Sequence, residues 1–342
     1  MKILICDGME DSGLELLRAA EGIDVDAPEQ LSAEEIKARL PEYEAVVVRS
    51  RTRMTADMIE NAPRLKVIGR AGTGVDNIDV QAASNRGILV MNTPGANAMA
   101  AAEHTLAMML SLARHVPQAT QSMREGKWEK KRYMGTELYK QTLGIIGLGK
   151  IGTLVADRAL AMKMDVLGYD PHILPEAAAI QGIELVSLEE LLSRSDFITL
   201  HTPSTAETRF IINRENIVRM KPGVRIINCA RGDLVDENDL YEALKSGHVA
   251  GAALDVFNRE PPEGSPLLGL QNMIFTPHLG ASSYQAQTNV AKAIAGQILD
   301  YLQMGIIRNA VNFPSIRPKD YEKIRPYLVL AEKLGSLQGQ LV

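Results

Sequence analysis

Short apolar runs rich in β-branched residues alternate with helix-length amphipathic stretches from the first residues onward, and this rhythm constrains the fold more than any other feature. Residues 3–6, 45–48, 65–68 and 88–90 read as strands, with residues 12–20, 33–40 and 54–61 as helices between them. Strands apolar on both faces belong in a parallel sheet covered by helices on both sides. The alternation breaks at Asn92-Thr93-Pro94-Gly95. A helix over about 98–115 should follow, with Asn97 as N-cap and apolar side chains nearly all round, which requires burial on several sides. A second series opens at Thr142-Leu143-Gly144-Ile145-Ile146, with further strands over 166–169, 197–200, 225–228, 250–254 and 273–275. The expected class is α/β, with two doubly wound parallel-sheet domains. Residues 282–304, helical in pattern, and the strand-like 310–312 come after the second series is complete, so the chain is expected to return to its first domain. From Pro314 the composition reads as a linker, and residues 327–341 as an amphipathic piece too short to bury its apolar face alone.

The chain has 342 residues, 46% of them hydrophobic, and a formal net charge of −5, which suits about two domains that need no disulfide or metal staple. Cys6 and Cys229 lie in apolar strand-like runs without Cys-x-x-Cys spacing, so the expected setting is a reducing, cytoplasmic one with no metal. No stretch approaches the ~20 apolar residues of a membrane span, and the N-terminus shows no signal-peptide pattern. With no long Lys/Arg run, small molecules rather than nucleic acid or membrane are the expected partners.

Gly147-Leu148-Gly149-Lys150-Ile151-Gly152 stands between a strand and a helix, and Asp170 closes the next strand. In such a G-x-G-x-x-G the first glycine permits the tight turn, the second lets backbone approach a pyrophosphate, and the third lets helix and strand pack closely. The helix N-terminus offers N–H groups to phosphate. Asp170 would accept from a ribose 2′-hydroxyl and repel a 2′-phosphate, which favours NAD. The glycines of Gly69-Arg70-Ala71-Gly72-Thr73-Gly74 lack that spacing and read as a loop after a strand.

Three polar residues fall near expected strand ends of the second series, where open α/β sheets bind ligands: Arg231, Glu260 and His278. Reduction of a 2-oxo acid needs a cation for the carboxylate, a proton donor for the developing alkoxide, and a group that keeps the donor charged. Arg, His and Glu supply these roles. Among the other histidines, His104 and His115 sit in a helical pattern and His248 in a turn; His201, ending a strand, is the serious rival.

Lys221-Pro222-Gly223-Val224-Arg225-Ile226-Ile227-Asn228-Cys229-Ala230-Arg231-Gly232, then Asp255-Val256-Phe257 with Glu260-Pro261-Pro262, then Pro277-His278-Leu279-Gly280, resemble the D-isomer-specific 2-hydroxyacid dehydrogenase family. Val48-Arg49-Ser50-Arg51-Thr52, the glycines near residue 72 and Gly126-Lys127-Trp128 support the likeness, which runs over about residues 1–312. The resemblance implies a flavodoxin-like substrate domain, 1–94 plus 289–312, around an NAD-binding Rossmann domain, 95–288, with substrate in the cleft. Residues 313–342 would then begin the intervening and ACT-type regulatory domains of the long members.

The same resemblance implies that Arg231 binds the substrate carboxylate or carbonyl, that His278 exchanges the proton, and that Glu260 pairs with His278. It adds Thr202, Pro203, Ala230 and Asp255 to the cofactor residues Gly147, Gly149, Lys150, Ile151, Gly152 and Asp170. Gly72, Thr73 and Gly74, with Asn97, would hold the substrate carboxylate; Arg49, Ser50 and Arg51, with Arg132, would hold a substrate phosphate. The reaction so implied is oxidation of 3-phosphoglycerate to 3-phosphohydroxypyruvate, by a homodimer joined through its core, or a tetramer in a longer form. The alternatives are reduction of glyoxylate or hydroxypyruvate, or another D-2-hydroxyacid dehydrogenase activity, or, outside enzymes, an NAD-sensing corepressor-like interaction protein.

Overall fold

The computed structural model describes residues 1–314 and 318–341. The chain divides into two compact units: residues 1–97 with the described residues from Tyr284 onward, and Ala98–Ser283.

In the first unit, strands β1 (Lys2–Ile5), β2 (Asp24–Asp26), β3 (Ala45–Val48), β4 (Val67–Arg70) and β5 (Leu89–Met91) form one sheet in the order β2-β1-β3-β4-β5. Every pairing is parallel. Alternate side chains explain the apolar strands: Leu4, Val46, Val48 and Ile68 pack with Ile36, Leu40 and Ile59 on one face. On the other, Ile3, Ile5, Val47 and Val67 meet Leu17, Val290, Ile294 and Ile298. That second layer pairs helix Asp11–Arg18 with helix Tyr284–Met304. Their approach is close enough that a Cβ on Gly13 would lie 2.8 Å from the Ala291 Cβ.

The strand-like residues 310–312 make a single antiparallel bridge, Ala310 to Met91, instead of a strand. Beyond it the Asn312 side chain takes over the backbone's work: its Oδ1 accepts from Val90 N at 2.9 Å. Of the stretch read as a linker, residues 315–317 lie outside the described residues; Pro318–Leu341 is one helix that runs through Pro326.

In the second unit, β6 (Thr142–Ile146), β7 (Asp165–Tyr169), β8 (Glu184–Leu185), β9 (Phe197–Leu200), β10 (Val224–Asn228), β11 (Val249–Leu254) and β12 (Met273–Phe275) make an all-parallel sheet, ordered β12-β11-β10-β9-β6-β7-β8. The order reverses between β6 and β9, the switch point at which doubly wound sheets hold ligands. The expected α/β class with two doubly wound parallel sheets is what the chain forms. Helix Ala98–Arg114 packs on helix Lys150–Ala161 and across β10, β11 and β12. Burial is less complete than its apolar surface suggested: Met109 and Leu112 are buried, while Met99 and Leu110 are 48% and 42% exposed. Among the described residues no helix is long and apolar enough to cross a membrane.

Candidate active site

At the β6–β9 switch point the glycine loop is shaped by what a side chain would strike. Gly147 has φ +96°, and a Cβ there would lie 2.8 Å from the His201 carbonyl carbon at the end of β9. A Cβ on Gly152 would overlap the Gly147 carbonyl oxygen, so helix and loop touch backbone to backbone. Gly149 differs: nothing lies within 4 Å of its Cβ position, and it opens the helix Lys150–Ala161, where Lys150 and Ile151 follow, with no side-chain cap. Asp170 reaches back from the end of β7, its Oδ2 accepting from Leu148 N and its Oδ1 from His172 N, each at 2.9 Å. Across the switch point Thr202 Oγ1 is buried without a hydrogen-bond partner. Pro203 anchors the following turn, its carbonyl accepting from Thr208 Oγ1 at 2.7 Å. Open space at the middle glycine, an uncapped helix start, a strand-end carboxylate and an orphaned hydroxyl fit a dinucleotide.

Along the same sheet edge, β10, β11 and β12 deliver the three polar residues. After β10, Asn228 folds the turn with its side chain: Oδ1 accepts from Ala230 N at 3.0 Å and Nδ2 donates to Arg231 O at 2.7 Å. Gly232 then lies so close to the Phe257 backbone that no Cβ fits, which brings the Arg231 turn beside the loop after β11. In that loop Glu260 Oε1 accepts from Phe257 N at 3.2 Å, and Oε2 lies 2.8 Å from His278 Nδ1. The hydrogen bond to Glu260 raises the His278 pKa, overcoming burial, while the charge of Arg231 opposes the rise. Burial pushes Glu260 up, but its bond with His278 and the charge there outweigh that and leave it below its ordinary value.

Beneath the pair sits Asp255, fully buried. Its Oδ1 accepts from Thr276 Oγ1 at 2.5 Å and Leu279 N at 2.7 Å, its Oδ2 from Gly280 N at 2.8 Å, and its carbonyl from His278 N at 2.9 Å. These bonds hold His278 in the left-handed region, φ 56°. His104 Nε2 lies 3.2 Å from Asp255 Oδ1, and together with Cys229 the three residues bring potential metal-ligand atoms within 4.8 Å of one another. Sequence spacing carries no trace of this group because its members come from three elements. The carboxylate oxygens are already engaged by donors, and burial pushes the Cys229 thiol up to about 12. The rival His201 is held neutral by burial, which lowers its pKa to about 3, and its Nε2 meets Thr199 Oγ1 at 3.0 Å.

The first unit holds the remaining predicted residues. Arg49, Ser50 and Arg51 follow β3; the Arg49 guanidinium meets Gln287 Oε1, and Arg51 Nη2 donates to Cys6 O at 3.3 Å. The 72–74 loop is tied down by Thr93 N to Gly72 O at 2.9 Å, Asn92 Nδ2 to Thr73 O at 2.6 Å, and Thr73 Oγ1 to Asn97 Oδ1 at 2.8 Å. Gly74 closes that loop, half-buried. A Cβ on Gly72 would strike the Arg70 guanidinium, so a further cation at the end of β4 is folded over this loop. Its place as the last residue of a strand was its only signal. Arg132 belongs to the second unit, paired with Glu129 at 3.2 Å and lying over the Tyr133 ring.

The second unit thus has a glycine loop that fits a dinucleotide and, along the same sheet edge, a His278–Glu260 pair beside the Arg231 turn. Residues 106–280 match the family described as D-isomer specific 2-hydroxyacid dehydrogenase, NAD binding domain. The chain is 51% identical over 340 residues to the D-3-phosphoglycerate dehydrogenase of Synechocystis sp., covering 99% of this chain and 61% of that protein. To the enzyme of the same name from Archaeoglobus fulgidus it is 48% identical over 338 residues, covering 98% and 64%. The chain thus spans about three fifths of the length of the curated relatives it matches. A glyoxylate reductase from Paecilomyes thermophila superposes with a TM-score of 0.82 at 30% identity, covering 91% of this chain and 97% of that one. The TT0316 protein of Thermus thermophilus does so with 0.83 at 37%, covering 91% and 100%. This chain belongs to the D-isomer specific 2-hydroxyacid dehydrogenases. Its matched region is the NAD binding domain of that family, and its cofactor is NAD.

Proposed function

We propose that the chain oxidises 3-phosphoglycerate to 3-phosphohydroxypyruvate with NAD, reversibly, as the first step of L-serine biosynthesis. The observation that carries the reading is the His278–Glu260 pair, 2.8 Å apart, with Arg231 on the neighbouring turn. His278 takes the C2 hydroxyl proton on Nε2, since Nδ1 is occupied by Glu260; in the reverse direction it returns that proton to the carbonyl oxygen. Arg231 holds the carboxylate or carbonyl and steadies negative charge on oxygen. NAD, when bound, would supply the hydride acceptor for C2, with Gly147, Gly149, Lys150, Ile151, Gly152, Asp170, Thr202, Pro203 and Ala230 as its contacts; Asp255, expected among them, is fully buried with both carboxylate oxygens engaged and holds the His278 turn instead. Gly72, Thr73, Gly74 and Asn97 take the substrate carboxylate, and Arg49, Ser50 and Arg51, with Arg132, take the phosphate. In this reading the first unit is the substrate domain and Ala98–Ser283 the cofactor domain.

We also infer a cytoplasmic homodimer joined by the second unit. Its support is the apolar surface left open there: Met99, Leu110, Trp128 and Met134 are all exposed, the last two at 79% and 81%. Static light scattering at twice the chain mass, reduced to one chain mass by Trp128→Glu with Met134→Glu, is the expected result; a wild-type monomer sinks it.

The substrate assignment is tested by NADH oxidation at 340 nm with 3-phosphohydroxypyruvate, hydroxypyruvate, glyoxylate, pyruvate and 2-oxoglutarate. Strong preference for the phosphorylated acid is expected. Preference for an unphosphorylated acid leaves the proton relay in place and removes the phosphate role of Arg49 and Arg51. Negligible turnover of all five, with NADH still bound, favours an NAD-sensing interaction protein.

A further inference from the structure

The sheet of the first unit has a switch point of its own. In the order β2-β1-β3-β4-β5 the direction of winding reverses between β1 and β3, and the segments leaving those two strands carry Asp7 on one side and Arg49 to Thr52 on the other. The Asp7 side chain is 3% exposed, a buried carboxylate whose desolvation must be met by donors. Those donors come from the opposite segment. Oδ2 accepts from Arg49 N at 2.6 Å and Thr52 N at 3.1 Å; Oδ1 accepts from Thr52 Oγ1 at 2.6 Å and Arg51 Nε at 3.2 Å. Asn77 grips the same two residues through their carbonyls, its Nδ2 donating to Arg49 O at 2.7 Å and Thr52 O at 2.5 Å. Both ends of the tetrapeptide are therefore clamped through N–H and C=O alike, while Ser50 and Arg51 between them remain exposed.

We propose that Asp7 is the positioning residue that holds the Arg49–Thr52 loop in an anion-binding form, and so sets the preference for a phosphorylated over an unphosphorylated substrate. The proposal rests on the phosphate reading given above. Four donors converge on Asp7, so the position demands a group that only accepts; an amide would turn its own N–H toward a donor. The carboxylate also pairs with the Arg51 guanidinium at 3.2 Å and offsets part of its charge. A residue needed only to cap its own turn would direct its bonds there, whereas these four cross to another segment.

The test compares KM and kcat for 3-phosphohydroxypyruvate and for hydroxypyruvate in the full chain, with inorganic phosphate as a competitive inhibitor. Asp7→Asn should raise KM for the phosphorylated substrate and the phosphate inhibition constant by about 10- to 100-fold, with kcat and the hydroxypyruvate KM within about threefold. Asn77→Ser, at the other end of the clamp, should move the same two quantities in the same direction, and carries the test if Asp7→Asn does not fold. Equal losses on both substrates, or an unchanged preference in folded variants, overturn the positioning role while the phosphate reading survives. A wild-type enzyme without preference for the phosphorylated acid overturns the phosphate reading first, and the role of Asp7 with it.

Discussion

Of the two ring nitrogens of His278, Nδ1 faces Glu260 at 2.8 Å, and in the proposed mechanism Nε2 exchanges the substrate proton. His278→Ala should lower turnover by ~10²- to 10⁴-fold while NADH affinity, read by fluorescence titration, stays within a few-fold. The bond to Glu260 raises the histidine's pKa, so the imidazolium persists to higher pH than in a free histidine. In the proposed mechanism carbonyl reduction uses the protonated form and should fall as pH rises through that raised value; alcohol oxidation uses the neutral form and should rise there. Glu260→Gln removes the cause, and both midpoints should move to lower pH in kcat/KM profiles; unmoved midpoints would detach Glu260 from the proton step. The stability side has the same sign. What His278 contributes to folding is fully present below about 6.5, its unfolded value, and lost as pH rises through the folded one. Glu260, lowered on folding, contributes above its unfolded value of about 4.3, and loses that as pH falls through the folded one. Both side chains are 40–48% exposed, so water screens the pair and its effect on unfolding should be small beside its effect on rate.

Between elements, close approach depends on missing side chains. Helix Asp11–Arg18 meets helix Tyr284–Met304 at Gly13, where a new methyl group would lie 2.8 Å from the Ala291 Cβ and 2.9 Å from its carbonyl carbon. Gly13→Ala gains helix propensity but must push two packed backbones apart, and overpacking of this kind costs about 1–3 kcal/mol. Urea unfolding followed by circular dichroism should show the loss; an unchanged midpoint would mean that the helices slide freely. The elements themselves were largely legible, because apolar period and turn residues are local signals. The failures were also local in cause. Residues 310–312 have a strand's composition, yet only Ala310 bridges, since the Asn312 side chain replaces the next backbone pairing. Helix Pro318–Leu341 runs through Pro326, where the reading of residues 314–326 as linker had no helix.

For the whole molecule, the residues of the proposed site divide between the two units: Arg231, Glu260, His278 and the glycine loop lie in Ala98–Ser283, and Asp7, Arg49, Arg51 and the 72–74 loop in the other unit. Residues 98–283 expressed alone should therefore keep NADH binding within about tenfold and show no measurable reduction of 3-phosphohydroxypyruvate; turnover by that piece would remove the substrate role from the first unit. The sequence by itself determined the α/β class, the parallel sheets, the glycine loop with Asp170, and which residues were chemically fit for catalysis. Each of these follows from period, composition or short spacing. Only the tertiary structure decided that Arg231, Glu260 and His278 meet at the ends of β10, β11 and β12, that Asp255 and His104 sit beneath them, and that Asp7 clamps a loop more than forty residues away. The reason is physical: such meetings depend on strand order and crossover connections, which bring distant segments to one sheet edge and leave no mark on the local pattern of either.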